Sequence, residues 1–183
     1  ATDVDGNKTE KTRGYIVQDT TPPAFTLINN TDEYNVIEKG FGNYVEQGVT
    51  TDGGEAYTIT IVDISSGLVV TNIDTSLVNS FTVTYSATDS YNNTGNINRT
   101  VRIVDTTPPI ITITNDFDAY NILQKGVDSY VEQGAVSDGG ETVSIQIFLS
   151  GVEQSSISNA TEQAYDVRYT STDASGNSTT VSR

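Results

Sequence analysis

The pentapeptide Asp19-Thr20-Thr21-Pro22-Pro23 recurs 86 residues later as Asp105-Thr106-Thr107-Pro108-Pro109. Between residues 19 and 61, 23 of 43 positions are identical to their counterparts at this spacing. A repeat of this length indicates a duplicated domain. Two successive prolines fix the backbone and are excluded from the interior of a β-ladder, so the pentapeptide predicts a short, stiff entrance to each copy.

The repeat also sets the expected domain boundaries. Tyr44–Gly48 and Asp52–Glu55 recur at the same spacing, whereas Phe81–Asp89 corresponds to Tyr165–Asp173 at a spacing two residues shorter. A loss of two residues is typical of a variable surface loop. We expect repeat 1 at residues 19–104 and repeat 2 at residues 105–183.

Within each repeat the apolar residues alternate with Thr, Ser and Arg, as in Phe81, Val83, Tyr85 and Ala87. This period of two puts one face of a strand on a core and the other in water. Such runs recur roughly every eight to twelve residues between Gly, Asn and Asp turns, and no segment has a helical period. The pattern predicts an all-β fold of tandem antiparallel β-sandwiches with about seven strands each, in which Tyr85 and Tyr169 pack in the core instead of stacking on a ligand.

The composition excludes several function classes. The chain has no Cys and no His, which excludes thiol and Ser-His nucleophiles and thiolate or imidazole metal sites. With 24 acidic and 9 basic residues, the formal charge of −15 disfavours nucleic acid and anionic membranes and favours cations, unless the acidity only keeps the surface soluble. No long apolar run predicts direct membrane insertion in this segment, and acids placed at turns disfavour catalysis.

The two ends of the sequence are out of phase with the repeats. Asp3 precedes Asp19 by the same distance that separates Asp89 from Asp105, so residues 1–18 correspond to a closing strand, and repeat 2 stops at Arg183 before its own. One interpretation is an excerpt of a longer array with adjacent repeats. The other is donor-strand exchange, in which copies assemble head to tail through a sheet edge. The candidate donor residues are Gly14, Tyr15, Ile16, Val17 and Gln18.

The donor-strand interpretation meets one difficulty. Residues 3–13 duplicate residues 173–183, and the two segments cannot occupy the same strand position.

Three motifs carry a resemblance to a known family. Asp-Thr-Thr-Pro-Pro at residues 19–23, Tyr-Val-Glu-Gln-Gly at 44–48 and Tyr-Ser-Ala-Thr-Asp at 85–89 resemble the bacterial and archaeal surface immunoglobulin-like tandem repeats. The resemblance implies immunoglobulin-like sandwiches on the cell surface or outside the cell. It also implies a structural subunit of a filament, stalk or surface layer, or alternatively a calcium-dependent adhesive or carbohydrate-binding module.

Calcium is the cofactor that the acidic turns suggest, since it prefers six to eight oxygen ligands. In immunoglobulin topology the last hairpin loop lies at the pole where the chain enters the domain. Tight hairpins need the same Asp, Asn and Gly residues for turn chemistry alone, so both interpretations stay open. The candidate ligands are Asp19, Asp52, Glu55, Asp89 and Asn93 in repeat 1, and Asp105, Asp138, Glu141, Asp173 and Asn177 in repeat 2.

Six Asn-x-Ser/Thr sequons are candidate sites of N-linked glycosylation, only slightly more than an Asn- and Thr-rich chain contains by chance. The candidate asparagines are Asn7, Asn29, Asn92, Asn98, Asn159 and Asn177.

Overall fold

The computed structural model describes residues 1–183 and divides into two compact units, unit 1 (Ala1–Ile103) and unit 2 (Val104–Arg183). The chain is all-β apart from two helical turns, as the alternating apolar pattern predicts. No helix is long and apolar enough to span a bilayer.

Unit 1 contains seven strands and one short helix. In chain order they are β1 (Phe25–Leu27), α1 (Asp32–Asn35), β2 (Val36–Glu38), β3 (Val49–Thr51), β4 (Tyr57–Asp63), β5 (Val69–Val70), β6 (Asn79–Thr88) and β7 (Thr94–Val104).

The core of unit 1 lies between two sheets, an arrangement consistent with a β-sandwich. β1 pairs with β3, and the larger sheet has the strand order β2-β7-β6-β4-β5. The β6–β7 ladder extends from Asn79 opposite Ile103 to Thr88 opposite Thr94. Val83 and Val101 are fully buried in a cluster that also contains Phe25 of the smaller sheet. The period of two produces this burial, since alternate side chains point to opposite faces of a strand.

Unit 2 repeats this order with six strands and one short helix. They are β8 (Ile111–Ile113), α2 (Asp118–Asn121), β9 (Ala135–Ser137), β10 (Val143–Leu149), β11 (Val152–Gln154), β12 (Tyr165–Thr172) and β13 (Ser178–Ser182).

The closing strand of the larger sheet, β13, is shorter in unit 2 than its counterpart β7 is in unit 1. β8 pairs with β9, and the other sheet has the order β11-β10-β12-β13. β13 pairs only with Arg168–Thr172, whereas β10 pairs with β12 over its whole length. Ile111, Val167 and Tyr169 form the buried cluster of this unit.

The two helical turns were not predicted. In α1 the N–H of Asn35 donates to the Thr31 carbonyl at 3.1 Å, and in α2 the N–H of Ile122 donates to the Asp118 carbonyl at 3.0 Å. A single turn needs no amphipathic period, which is why a search for the helical pattern does not find it.

Residues 1–18 belong to no sheet. They contain one isolated bridge between Thr2 and Lys8, and their side chains are exposed throughout. Tyr15 is 81% exposed and Val17 is 98% exposed.

Candidate functional site

The last hairpin of unit 1 turns on Asp89 and Asn93. One Asp89 carboxylate oxygen accepts the backbone N–H groups of Tyr91 and Asn93 at 2.8 Å each, and the other accepts the Asn93 side-chain amide at 2.8 Å. The same amide donates to the Asp19 carbonyl at 3.3 Å. The hydrogen bond from Asn93 is the main reason that the pKa of Asp89 lies below its usual value. The turn therefore holds the segment that enters the unit.

Unit 2 contains the same hydrogen-bonded turn. Asp173 accepts the N–H groups of Ser175 and Asn177 at 2.8 and 2.9 Å, and the Asn177 amide donates to Asp173 and to the Asp105 carbonyl, both at 2.9 Å. The pKa of Asp173 is lowered, first by the hydrogen bond from Asn177.

A third copy of the turn lies in residues 1–18. Asp3 accepts the N–H groups of Asp5 and Asn7 at 3.0 and 2.9 Å, and the Asn7 amide at 2.9 Å. These hydrogen bonds all join residues within the turn, so the turn does not need the rest of a sandwich to form. In the two sandwiches the Asn side chain makes one further hydrogen bond, to the segment that enters the unit.

Asp52 and Asp138 extend the smaller sheets at the same ends of the units. Asp52 accepts the N–H of Ala24 at 2.9 Å and its own N–H donates to the Ala24 carbonyl at 3.1 Å. Asp138 makes the same pair of bonds with Ile110, at 2.9 and 3.0 Å. Both carboxylates thus act as acceptors for backbone donors.

A surface cleft in unit 1 gathers four of the predicted calcium ligands. Asp19, Asp52, Glu55 and Asp89 line it together with Tyr91. One Glu55 carboxylate oxygen is buried and has no hydrogen-bond partner. The side-chain atoms that could bind a cation here are all oxygens, which calcium prefers. However, no three carboxylates lie close enough together to form a metal cluster.

In unit 2 the counterpart of Glu55 is Glu141, which has a hydrogen-bond partner. The Ser137 hydroxyl donates to the Glu141 carboxylate. The structure therefore brings the predicted ligands of each unit to one end but holds most of them through hydrogen bonds within the protein.

The centre of unit 1 contains a polar cluster that sequence reasoning missed. Arg99 is 1% exposed, and its guanidinium donates five hydrogen bonds. The acceptors are the Tyr85 hydroxyl at 3.1 Å, the Asn35 side chain at 3.1 Å and the carbonyls of Ile28, Asn29 and Gly48 at 2.6, 3.3 and 3.1 Å.

Glu46 is the acid of this cluster. It accepts the Tyr44 hydroxyl at 3.0 Å, the Gly48 N–H at 2.7 Å and the Tyr85 hydroxyl. Burial and the hydrogen bond to Glu46 raise the pKa of Tyr85 to about 12. Burial and the Glu46 charge also raise the pKa of Tyr44.

The sequence did carry a signal for the position of Arg99. Arg99 lies two and four positions before the buried Val101 and Ile103, so the period of two places all three on the core face of β7. Tyr85 and Tyr169 are fully buried, which confirms their predicted place in the core.

In unit 2 the corresponding cluster centres on Glu132. It accepts the Tyr130 hydroxyl, the Tyr169 hydroxyl at 2.7 Å and the Gly134 N–H at 2.6 Å. Burial raises the pKa of Glu132, but these hydrogen bonds outweigh it, so the pKa lies below the usual 4.5. Arg183 donates only to the Thr114 carbonyl, at 2.7 Å.

The predicted sequons lie in different surroundings. Asn92 and Asn98 are exposed, whereas the Asn29 amide donates to Gln47 at 2.9 Å. The amides of Asn7, Asn159 and Asn177 are hydrogen-bonded as well.

The comparisons with known proteins give no family assignment. No protein-family model matches the chain, and no curated protein is significantly similar to it.

Proposed function

We propose that this chain is a structural subunit of an extracellular filament, stalk or surface layer, built from tandem immunoglobulin-like β-sandwiches. Its partners are copies of itself or adjacent repeats of the same kind. The observation that carries the proposal is the lock present in both units, in which Asn93 and Asn177 tie the last hairpin to the Asp-Thr-Thr-Pro-Pro entrance.

The lock supports a load-bearing role because of where it lies. Force on a tandem chain enters each module through the segments that connect it to its neighbours. The Asn93 bond to Asp19 joins the entering segment to the long β6–β7 hairpin, and the Asp52 bonds to Ala24 join the same segment to the smaller sheet. Pro22 and Pro23 restrict the backbone between these attachments.

The surface chemistry agrees with a place outside the cell. Acidic residues outnumber basic ones by 24 to 9, which favours solubility and disfavours nucleic acid. The fold uses no Cys, so its stability does not depend on the redox state of the compartment.

Pulling the full chain by its termini in a single-molecule force experiment tests the proposal. We expect two separate unfolding events, and Asn93→Ala lowers the force of one of them. Asn96→Ala is the matched control, because Asn96 is exposed on β7 of the same hairpin, three residues after Asn93. Unfolding of both units at negligible force, or equal effects of the two variants, contradicts a load-bearing role.

Calcium-dependent adhesion is the second candidate, and the buried, unpartnered oxygen of Glu55 in the acidic cleft favours it. We expect calcium to raise the melting temperature of unit 1 and Glu55→Gln to remove the increase. Glu153→Gln, an exposed change in unit 2, is the control. A melting curve that is indifferent to calcium and to chelator eliminates this candidate.

A further inference from the structure

We propose that a groove beside β12 of unit 2 binds residues Gly14–Gln18 of a second copy as an added antiparallel strand. The inference rests on the proposed structural function, since it names the contact through which subunits assemble.

The groove has an open backbone edge. Arg168–Thr172 pair with β13, and Val167 exchanges two backbone hydrogen bonds with Arg183 at 3.1 and 3.0 Å. Tyr165 and Asp166 pair only with β10, on their other side. β-strand addition occurs at unpaired strand edges, because their free N–H and C=O groups can form hydrogen bonds with an added strand.

The groove also has an apolar floor. Its lining includes Leu123, Tyr130, Ile157, Tyr165 and Val167. In unit 1 the counterparts of these five residues belong to the core cluster that contains Val101 and Ile103 of β7, which are 0% and 1% exposed. These counterparts are Ile37, Tyr44, Ile73, Phe81 and Val83. The groove is therefore the place in unit 2 that an extended closing strand fills in unit 1.

Residues 14–18 have the sequence that this place requires. By the repeat spacing, Arg13 corresponds to Arg99, Tyr15 to Val101 and Val17 to Ile103. Tyr15 and Val17 are two residues apart, so both side chains enter the core when the segment is extended, and Ile16 faces outward as the exposed Arg102 does in β7. An exposed run of three large apolar residues indicates an interaction surface.

The register follows from the ladder already present. Arg183 lies opposite Val167, as Arg99 lies opposite Val83 in unit 1. A strand that continues from this point places Gly14 opposite Asp166, Tyr15 opposite Tyr165 and Ile16 opposite Ala164.

This register removes the clash between residues 3–13 and 173–183. The donated strand begins at Gly14, directly beyond the end of β13, so residues 1–13 leave the sheet there. Unit 1 has Thr100 at the position of Gly14, and glycine permits the sharp change of direction that this exit needs. Residues 1–13 are held only by local bonds, so no contact of unit 1 has to break.

Disulfide trapping between two full-length chains tests the register. The protein has no cysteine, so single substitutions report one contact each. Mixing Ile16→Cys with Ala164→Cys places the two sulfurs on directly opposite residues, at a separation that a disulfide spans. We expect a covalent heterodimer. Val17→Cys with Ala164→Cys is the control, because its sulfurs lie on opposite faces of the sheet. No dimer, or equal dimer in both mixtures, overturns the proposal.

A mass measurement supports or overturns it independently. The unmodified chain is expected to form head-to-tail oligomers whose mean mass grows with concentration. Val17→Asp buries an unpaired carboxylate and raises the dissociation constant by roughly a hundredfold or more, whereas the outward-facing Ile16→Asp changes it far less.

Two results of this measurement count against the second copy as occupant. A chain that stays monomeric at high concentration, or a groove filled by the same chain or by residues linked after Arg183, overturns the proposal. A monomer whose units still resist force leaves the load-bearing function intact, so the two failures are distinguishable.

Discussion

Arg99 of unit 1 and Arg183 of unit 2 occupy equivalent positions but have different surroundings. Arg99 donates five hydrogen bonds from a buried guanidinium. Arg183 donates one, to Thr114, lies 3.6 Å from an Asp116 carboxylate oxygen, and has two buried nitrogens without a hydrogen-bond partner. The comparison shows that the arginine is satisfied where the closing strand is long and is under-satisfied where it is short.

The short helices show the same effect on similar local sequences. Asp, Tyr and Asn recur at the same positions in α1 and α2, but Asn35 is 9% exposed and bonds Arg99, whereas Asn121 is exposed and bonds only the nearby Asp116. In unit 1, β2 follows α1 and pairs with β7. Unit 2 has no such strand after α2, and β13 lies at the edge of its larger sheet.

Replacing each arginine by methionine gives the largest expected difference between the units. Arg99→Met leaves three carbonyls, the Asn35 oxygen and the Tyr85 hydroxyl without their donor, and we expect the loss of this buried network to destabilise unit 1 by about 3–5 kcal/mol. Arg183→Met removes one hydrogen bond and is expected to cost about 1 kcal/mol. Chemical denaturation, with hydrogen exchange to assign each transition to a unit, measures both.

The control for this pair is Arg102→Met. Arg102 is exposed on the same strand as Arg99, and its ion pair with Asp32, at 3.8 Å, lies in solvent, so a change below about 0.5 kcal/mol is expected. Equal losses for Arg99→Met and Arg183→Met refute the role assigned to the closing strand.

Gly95 offers a sharper test of packing at the entrance of unit 1. A Cβ added there would lie 2.6 Å from the Pro23 carbonyl oxygen and 3.3 Å from the Phe25 ring, whereas unit 2 accommodates Thr179 at the same position. We expect Gly95→Ala to lower the stability of unit 1 by about 1–3 kcal/mol in the same denaturation experiment. Gly14→Ala is the control, because no atom lies within 4 Å of its added Cβ. A neutral Gly95→Ala contradicts close packing of the entering segment.

The strands were predictable because they depend on local pattern. The alternation of Phe81, Val83 and Tyr85 defines a strand wherever it occurs, and the Asp89–Asn93 turn forms from its own hydrogen bonds. Part of the difference between the two larger sheets was expected, since repeat 2 stops at Arg183 before its own closing strand. The pairing of β2 with β7 was not predictable from the motifs, because it is a contact between residues far apart in sequence.

The central polar clusters show where sequence reasoning stopped. The Tyr-Val-Glu-Gln-Gly motif that contains Tyr44 and Glu46 was recognised as a repeat, but nothing local shows that Glu46 bonds Tyr85 from 39 positions away. Arg99 was not singled out as a core residue, although its position in the two-residue period of β7 assigns it to the core face. For a charged residue in a strand, this period is a better guide to burial than residue type, because a buried cation is tolerated when enough acceptors converge on it.

The Glu132 cluster of unit 2 gives the smallest effect and a dependence on pH. Hydrogen bonds from Tyr130, Tyr169 and Gly134 hold the pKa of Glu132 below 4.5 against the effect of burial. A carboxyl whose folded pKa is depressed stabilises the fold above its unfolded pKa, and this stability is lost as pH falls through the folded value. The stability of unit 2 is therefore expected to decrease from about pH 4.5 downward.

Glu132→Gln isolates that contribution. We expect it to cost about 1 kcal/mol at neutral pH, since the charged acceptor is lost, and to reduce the decrease below pH 4.5, since no proton binds there. Melting curves of unit 2 from pH 6 to about pH 3 measure both effects, with Glu153→Gln on the exposed β11 strand as the control. If Glu132→Gln and the unmodified chain lose stability in parallel, the acid sensitivity belongs to other carboxylates. Those would be the turn residues, of which Asp173 in unit 2 also has a lowered pKa.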